Sequence, residues 1–519
     1  MNSRLYPIGI QNFEKIRNGG YVYVDKTAQV YELVDSGAYY FLSRPRRFGK
    51  SLLMSTIEAY LSGKKELFEG LAIENLEQEW IEYPILHMDL NSREYKDESS
   101  LEAELNRHLE GWEKIYGDNY KDRATEERFL HVIDNAYEKT GRRVVILVDE
   151  YDKPLLQTIG KEELQSAYRS KLKAFYSVLK TQDAKIRFAF LTGVTKFGKV
   201  SVFSDLNNLV DISLDNRYSD ICGITEEELH TVFDDSVSDL ASANGMSTSE
   251  CYSKLKSLYD GYHFSVAGKG MYNPFSVLNT LSSKQFGSYW FATGTPTYLV
   301  NLLQHYDYNL DLMSKAEVSA EVLNSVEPNS QNPIPVIYQS GYLTIKGYDG
   351  RFGDYKLGFP NEEVEEGFVK YLAPFYLSKK QSRSAFDVRS FVSDVRSGAA
   401  EQFCVRLKSL FSDTPYELVK DLENHYQNIV WVVFKMLGFY SQAEYHTSNG
   451  RIDLVISTPD YRYVMEFKLD GTAEEAMEQI KSKNYSLPFA LDNKHTYLIG
   501  MNFDSATRNI ERYIIEESE

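Results

Sequence analysis

Residues 38–60 read AYYFLSRPRRFGKSLLMSTIEAY. An apolar strand, Tyr39 to Leu42, passes through a short loop into a helix opening at Gly49, Lys50 and Ser51. That order builds a phosphate-binding loop. Backbone N–H groups at the helix start cradle the phosphates, the lysine reaches the outer ones, and the hydroxyl holds Mg²⁺. The pattern G-x-x-x-x-G-K-[ST] is met except at its first glycine, where Arg44 stands. Arg47 and Phe48 belong to the same cradle as Gly49, Lys50 and Ser51. A Gly-Lys-Ser tripeptide also occurs as ordinary surface sequence, so a partner motif has to decide between the two readings.

That partner lies roughly a hundred residues further on, where Arg142 and Arg143 lead into VVILV (Val144 to Val148), then Asp149 and Glu150. A continuous apolar run is the signature of a strand buried on both faces, and two acids at its carboxyl end complete a Walker B sequence. In that role Asp149 orders Mg²⁺ and Glu150 polarises the attacking water. Acids also collect at such strand ends for structural reasons alone. A third strand, within KIRFAFLTGVTKF (Lys185 to Phe197), places Thr192 and Thr195 where a hydroxyl can sense the γ-phosphate, with a simple Thr-Gly turn as the alternative. With PILHMDLN (Pro84 to Asn91), the series alternates strand and helix. This predicts an open parallel sheet with its ligands at the carboxyl ends of the strands.

At 519 residues the chain exceeds what one core supports, and two to four domains are expected. Hydrophobic residues at 43% and charged residues at 25% exclude a disordered chain. No apolar run reaches the ~18 residues a membrane span needs, and MNSRLYPIGIQNF lacks the form of a signal peptide. A cytoplasmic protein without membrane partners is therefore expected. Cys222, Cys251 and Cys404 are far apart and lack metal-ligand spacing, which argues against zinc and disulfides. The net charge of −18 opposes tight nonspecific attraction to nucleic acid, while leaving room for a local basic groove.

From Gly223 to about Asn361 the pattern turns helical with aromatic punctuation. ITEEEL reads as a helix start with Thr225 as N-cap and Glu228 three positions on. Tyr272, Asn273 and Pro274 match a short Asn-Pro lid signal, or equally a helix start with proline near its first position. Residues Ile337 to Asn361 alternate around Gly-rich turns and read as a two-stranded wing, so a winged-helix lid is expected. Arg46, Arg47 and Arg217 are candidates for the arginine wanted near a γ-phosphate, each also readable as a surface cation. His263 reads as packed or exposed. The polar, basic stretch 378–387 places the domain junction, and Phe386 to Phe411 is an amphipathic helix. The expected domains are thus 1–222, 223–380 and 381–519.

Near the C-terminus, GRIDLVIS (Gly450 to Ser457) and YRYVMEFKL (Tyr461 to Leu469) flank a turn signal and predict an antiparallel hairpin. A turn centred between Pro459 and Asp460 sets Asp453 opposite Glu466, with Lys468 on the same face. Two opposed carboxylates repel, so the arrangement calls for a cation, met by a divalent metal. Asp453 followed by Glu466-Phe467-Lys468 resembles the PD-(D/E)xK nuclease superfamily. The resemblance implies that Asp453 and Glu466 hold Mg²⁺ and that Lys468 positions the water or steadies developing charge. The helix expected from Thr472 to Lys483 brings Gln479, Lys481, Lys483 and Tyr485, and nucleases of this type often place a Gln and a Lys there. Glu423, His425 and Tyr426, on a helix expected from Glu423 to Leu437, are further candidates for the metal site, with Glu444 as a rival.

YPIGIQNFEKIRNGGYVYVDKT, RPRRFGKS, VDEYDKPL, LTGVTKFGKVSVFSDLNNL and the hairpin, in this order, resemble a bacterial family of AAA-ATPase-like proteins with a PD-(D/E)xK nuclease-type domain appended. The fold so implied is α/β: a P-loop NTPase parallel sheet with a helical and winged-helix lid, then a restriction-endonuclease-like α/β domain. ATP and Mg²⁺ are the implied cofactors, and nucleic acid the implied substrate, DNA rather than RNA. The function expected is an ATP-binding, ATP-hydrolysing protein coupled to a Mg²⁺-dependent phosphodiesterase. A homo-oligomer is compatible with it. The alternative is an ATP-controlled oligomerisation switch whose nuclease-fold domain only binds a partner.

Overall fold

The computed structural model describes residues 4–117, 122–196, 198–292, 316–324, 332–376, 388–412, 454–489, 494–507 and 509–518, with isolated positions between 303 and 313 and between 428 and 436. The chain divides into two compact units, Met1–Leu302 with Ser314–Val364, and Leu303–Met313 with Glu365–Glu519. Among the described residues no helix is long and apolar enough to cross a membrane.

The first unit is built on five parallel strands: β1 (Tyr39–Ser43), β2 (Ile85–Asp89), β3 (Val144–Asp149), β4 (Ile186–Gly193) and β5 (Val210–Asp211). Their order across the sheet is β2-β3-β4-β1-β5, so β4 lies between the strand of the phosphate loop and the strand of the two acids. β1 and β3 are buried at every position, as their unbroken apolar runs require. Helices α1 (Phe13–Asn18) and α2 (Thr27–Ser36) precede β1, and α3 (Lys50–Leu61) follows it. The helices Glu98–Tyr116, Thr125–Thr140 and Glu162–Thr181 bury Leu105, Trp112, Phe129 and Phe175 in one core with Ile146 and Leu191 of the sheet. Phe129 and Phe175 stack at 4.4 Å.

The helical region beyond the sheet begins with the expected cap. Thr225 accepts from the Glu228 N–H while the Glu228 carboxylate accepts from the Thr225 N–H, closing a capping box on the helix Glu226–Ala243. Asn273 caps the helix Pro274–Ser283, with proline in its first turn as expected of a helix start. The wing is present as β9 (Thr344–Asp349) and β10 (Asp354–Gly358), joined by β8 (Glu317–Ser319) into a three-stranded sheet; β6 (Ile224–Thr225) and β7 (Met271–Tyr272) pair separately. The expected strand pattern starts too early, because Ile334–Gln339 is a helix that Pro333 and Pro335 initiate.

In the second unit the amphipathic stretch Phe386 to Phe411 is two helices, Val388–Arg396 and Ala400–Ser412, rather than one. Gly398 breaks it at φ +76, where a Cβ would collide with the Tyr461 ring. The sheet is β11 (Leu454–Ser457), β12 (Tyr461–Leu469), β13 (His495–Asp504) and β14 (Asn509–Glu517), in that order. β12 and β13 are parallel, and the helix Ala473–Ser482 makes the crossover. The hairpin register is the expected one, with Leu454 opposite Met465 and Ser457 opposite Arg462. Asp453, Glu423, His425, Tyr426, Glu444 and the junction 378–387 lie outside the described residues.

Candidate functional site

Two clusters of chemistry-bearing side chains stand out, one in each unit. The first gathers at the carboxyl ends of β1, β3 and β4. Gly49 takes a left-handed conformation (φ +96) and starts α3, whose first N–H groups lack intrahelical acceptors. A Cβ built on Gly49 would meet nothing within 4 Å, so the loop faces open space there. Ser51 sits in the first turn of α3 and Lys50 is buried, its Nζ donating to the Arg44 carbonyl at 2.9 Å and the Pro45 carbonyl at 3.2 Å.

Arg44, which takes the place of the first glycine, is 1% exposed and acts as a clamp. Its guanidinium donates to the carbonyls of Ser43 (3.0 Å), Ser213 (2.8 Å) and Tyr218 (3.0 Å). A side chain thus ties the loop to the segment after β5, where the pattern relies on glycine.

Asp149 is buried at the end of β3, and its Oδ1 accepts from Thr192 Oγ1 at 2.5 Å and from the Glu150 N–H at 3.1 Å. Glu150 holds a positive φ of 53°, a strained setting for a side chain other than glycine. Burial raises its pKa above the ordinary carboxylate value; Lys50 opposes that shift, and Asp152 and Asp149 add to it. Thr195, the other hydroxyl singled out from sequence, points elsewhere. Its N–H and Oγ1 donate to Asp152 at 2.6 and 2.8 Å.

Asp152 and Lys196 were not foreseen. Burial raises the Asp152 pKa against the bonds from Thr195 and the Coulombic pull of Lys50. Lys196 is 4% exposed, and burial lowers its ammonium to about 8 despite Asp211 at 2.8 Å. Burial also disfavours the Asp211 carboxylate, yet Lys196 and Lys199 together hold its pKa below the ordinary range. Lys196 Nζ further donates to Asn324 at 2.5 Å, and its N–H to Gln339 at 2.6 Å. The residue was visible in TGVTKF; its surroundings were not.

Of the arginine candidates, Arg217 pairs with Asp215 and lines a depression with Ser36, Gly37 and Tyr40, at the end of β1 away from Gly49. Arg46 and Arg47 stay in the loop, and Arg47 has φ +65 with its guanidinium 4.9 Å over Phe275. His263 serves packing: its N–H donates to Thr344 Oγ1 at 2.7 Å and its ring bonds the Gly261 carbonyl.

The second cluster lies on β12. Glu466 is 2% exposed, and Lys468 Nζ reaches its Oε1 at 3.2 Å. Gln479, on the crossover helix, joins them: its Oε1 accepts from Lys468 Nζ at 2.6 Å, and its Nε2 donates to Glu466 Oε1 and to the Tyr485 hydroxyl. A capping box of Thr472 with Glu475 starts that helix. Gly500 pairs with Glu466 across β12 and β13, and a Cβ there would lie 2.6 Å from the Ala473 carbonyl. The bare glycine lets the helix close on the strand and bring Gln479 over Glu466. Lys481 instead pairs with Glu516 at the surface.

The profile described as predicted AAA-ATPase matches residues 7–203, and that of the PD-(D/E)XK nuclease superfamily matches residues 421–513. A protein of Azotobacter chroococcum mcd 1, described as an uncharacterized protein in the vnfD 5′ region, is 34% identical over 532 residues, covering 99% of each chain. The chain belongs to the AAA-ATPase-like family. In this AAA-ATPase-like protein the first match spans the phosphate loop and the ends of β3 and β4, and the second spans Glu466, Lys468 and Gln479. The protein therefore joins an AAA-ATPase-like core to a domain of the PD-(D/E)XK nuclease superfamily.

Proposed function

We propose that the protein binds and hydrolyses ATP in its first unit, and that nucleotide occupancy governs Mg²⁺-dependent cleavage of nucleic acid, DNA rather than RNA, by the second. One observation carries the reading: in each unit a lysine acts electrostatically on a carboxylate at the site where phosphate chemistry is expected. Lys50 exerts its charge on Glu150, and Lys468 pairs with Glu466.

The residues fit ATP and a metal. The backbone of Arg47, Phe48 and Gly49 and the start of α3 supply the N–H cradle. Lys50 releases the Arg44 and Pro45 carbonyls to reach the phosphates, since an ammonium gains more from phosphate than from neutral acceptors. Ser51 and Asp149 would hold Mg²⁺; both described bonds to Asp149 fall on Oδ1, so Oδ2 is the oxygen a cation would use. Glu150, its pKa raised by burial, would take the proton of the attacking water. In the second unit Glu466 and Asp453 would hold the metal, and Lys468, steadied by Gln479, would orient the nucleophile. Bound there, Mg²⁺ supplies Lewis-acid polarisation and a lowered pKa for bound water.

A second reading, an ATP-controlled oligomerisation switch with a partner-binding C-terminal domain, is favoured by the acidic balance, −18 over the chain. Metal-dependent cleavage of single- and double-stranded DNA and RNA, with and without ATP, separates the two. In the nuclease reading Lys468→Ala abolishes cleavage and keeps ATP binding, whereas Lys50→Ala loses ATP binding. Cleavage that survives Lys468→Ala, or is absent with every substrate and metal, rejects the nuclease.

A further inference from the structure

Each residue of the loop from Arg44 to Phe48 is touched by the helical region that follows the sheet. The Arg44 guanidinium lies 4.2 Å over the Phe264 ring. Pro45 packs against Gly341, where a Cβ would fall 2.6 Å from the proline Cβ. The Arg46 carbonyl accepts from Trp290 Nε1 at 2.9 Å. The Arg47 guanidinium lies 4.9 Å over Phe275, and the Phe48 ring meets Tyr262 edge-on at 4.7 Å. With arginine at its first position, the loop takes its shape from groups outside itself.

Trp290 is itself held in place. Its N–H donates to Glu363 Oε1 at 2.8 Å, and Ser276 Oγ donates to Glu363 Oε2 at 2.7 Å. Ser276 and Phe275 share the first turn of the helix Pro274–Ser283, so one helix start sets both the ring under Arg47 and the support for Trp290. Trp290 is 3% exposed, so its indole N–H has little water to fall back on.

We propose that Trp290 and Phe275 are positioning residues of the nucleotide site, fixing the Arg46 carbonyl and the Arg47 guanidinium so that the loop N–H groups point at the phosphates. This rests on the ATP-binding reading of the same loop. Trp290 and Phe275 touch the loop through the Arg46 carbonyl and the Arg47 guanidinium, so they act on nucleotide affinity. By linkage, bound ATP favours the docked arrangement of the helices that carry them by the same factor.

The test uses the full chain, with ATP binding followed by calorimetry and hydrolysis by steady-state kinetics. Trp290→Phe keeps an aromatic ring and removes the donor; Phe275→Leu keeps apolar volume and removes the ring face. Trp290→Phe is expected to raise the Kd and KM for ATP about tenfold, the worth of one well-placed hydrogen bond, and Phe275→Leu about fivefold, the worth of a cation–π contact, each with kcat within about twofold. Phe275 is only half-buried and decides the matter if Trp290→Phe does not fold. Lower thermal stability with unchanged Kd and KM in the folded variants would overturn the proposal, since that is the mark of a structural role. Lys50→Ala is the control: if it leaves ATP affinity unchanged, the loop reading falls and takes this proposal with it. If it abolishes binding while both other variants bind as wild type, the positioning role alone falls.

Discussion

Thr192 Oγ1 donates to Asp149 Oδ1 at 2.5 Å, so the carboxyl end of β4 fixes the acid that ends β3. The contact exists because β4 lies between β1 and β3, with Thr192 level with Leu42 on one side. If Asp149 orders the metal, the hydroxyl sets which carboxylate oxygen is free to do so. Thr192→Val, equal in shape and lacking the donor, is expected to lower kcat for ATP hydrolysis about tenfold while KM changes little. Steady-state ATPase kinetics check this, and an unchanged kcat rejects the role.

Arg44→Gly restores the G-x-x-x-x-G-K-[ST] pattern and is nevertheless expected to damage the protein. It strips the Ser43, Ser213 and Tyr218 carbonyls of a buried donor and removes the cation over Phe264. A loss of roughly 3 kcal/mol follows from leaving buried acceptors unmet. Urea unfolding measures it; a variant as stable as wild type would show that the clamp contributes nothing.

Glu363 confers a pH dependence of definite sign. Burial raises its carboxyl from 4.5 to about 7, against the bonds from Ser276 and Trp290. The folded form therefore holds the proton more tightly than the unfolded form. Its stabilising contribution is fully present below about pH 4.5 and is lost as pH rises through about 7. The nearby Tyr259 and Tyr262 have raised pKa values and do not titrate in that window. Thermal melts at pH 5 and pH 8 are expected to differ less in Glu363→Gln than in wild type. Equal pH responses would exclude Glu363 as the titrating group.

Gln479 joins Glu466, Lys468 and Tyr485, and Gln479→Leu is expected to leave Lys468 less well placed. Under the nuclease reading, metal-dependent cleavage falls tenfold to a hundredfold, on the order seen when supporting partners of a metal site are lost. Cleavage at the wild-type rate would assign Gln479 to structure alone. Gly500→Ala probes the same geometry from beneath, because its Cβ would push against the Ala473 carbonyl and the Met477 N–H.

Much of the molecule was legible in the chain. VVILV read as a strand buried on both faces, Thr225 with Glu228 read as a helix start, and the β11–β12 turn set the hairpin register. Each of these depends on residues within a few positions of one another. The single helix expected from Phe386 to Phe411 failed on one backbone angle, because an apolar stripe continues in sequence across Gly398 whether or not the helix does.

The amino-acid sequence by itself determined the two phosphate motifs, the strand that carries each acid and the Glu-x-Lys on β12, because strand burial and turn chemistry are local. Only the tertiary structure decided that β4 separates the two motif strands, that Arg44 does a glycine's work by reaching Ser213 and Tyr218, and that Asp152 and Lys196 belong to the same neighbourhood. Likewise it was Gly500, thirty-four positions after its partner Glu466, that allowed Gln479 to close on that acid. Such relationships join residues far apart in the chain, and which of them meet is set by how strands order and helices dock, a matter of packing that no local pattern records.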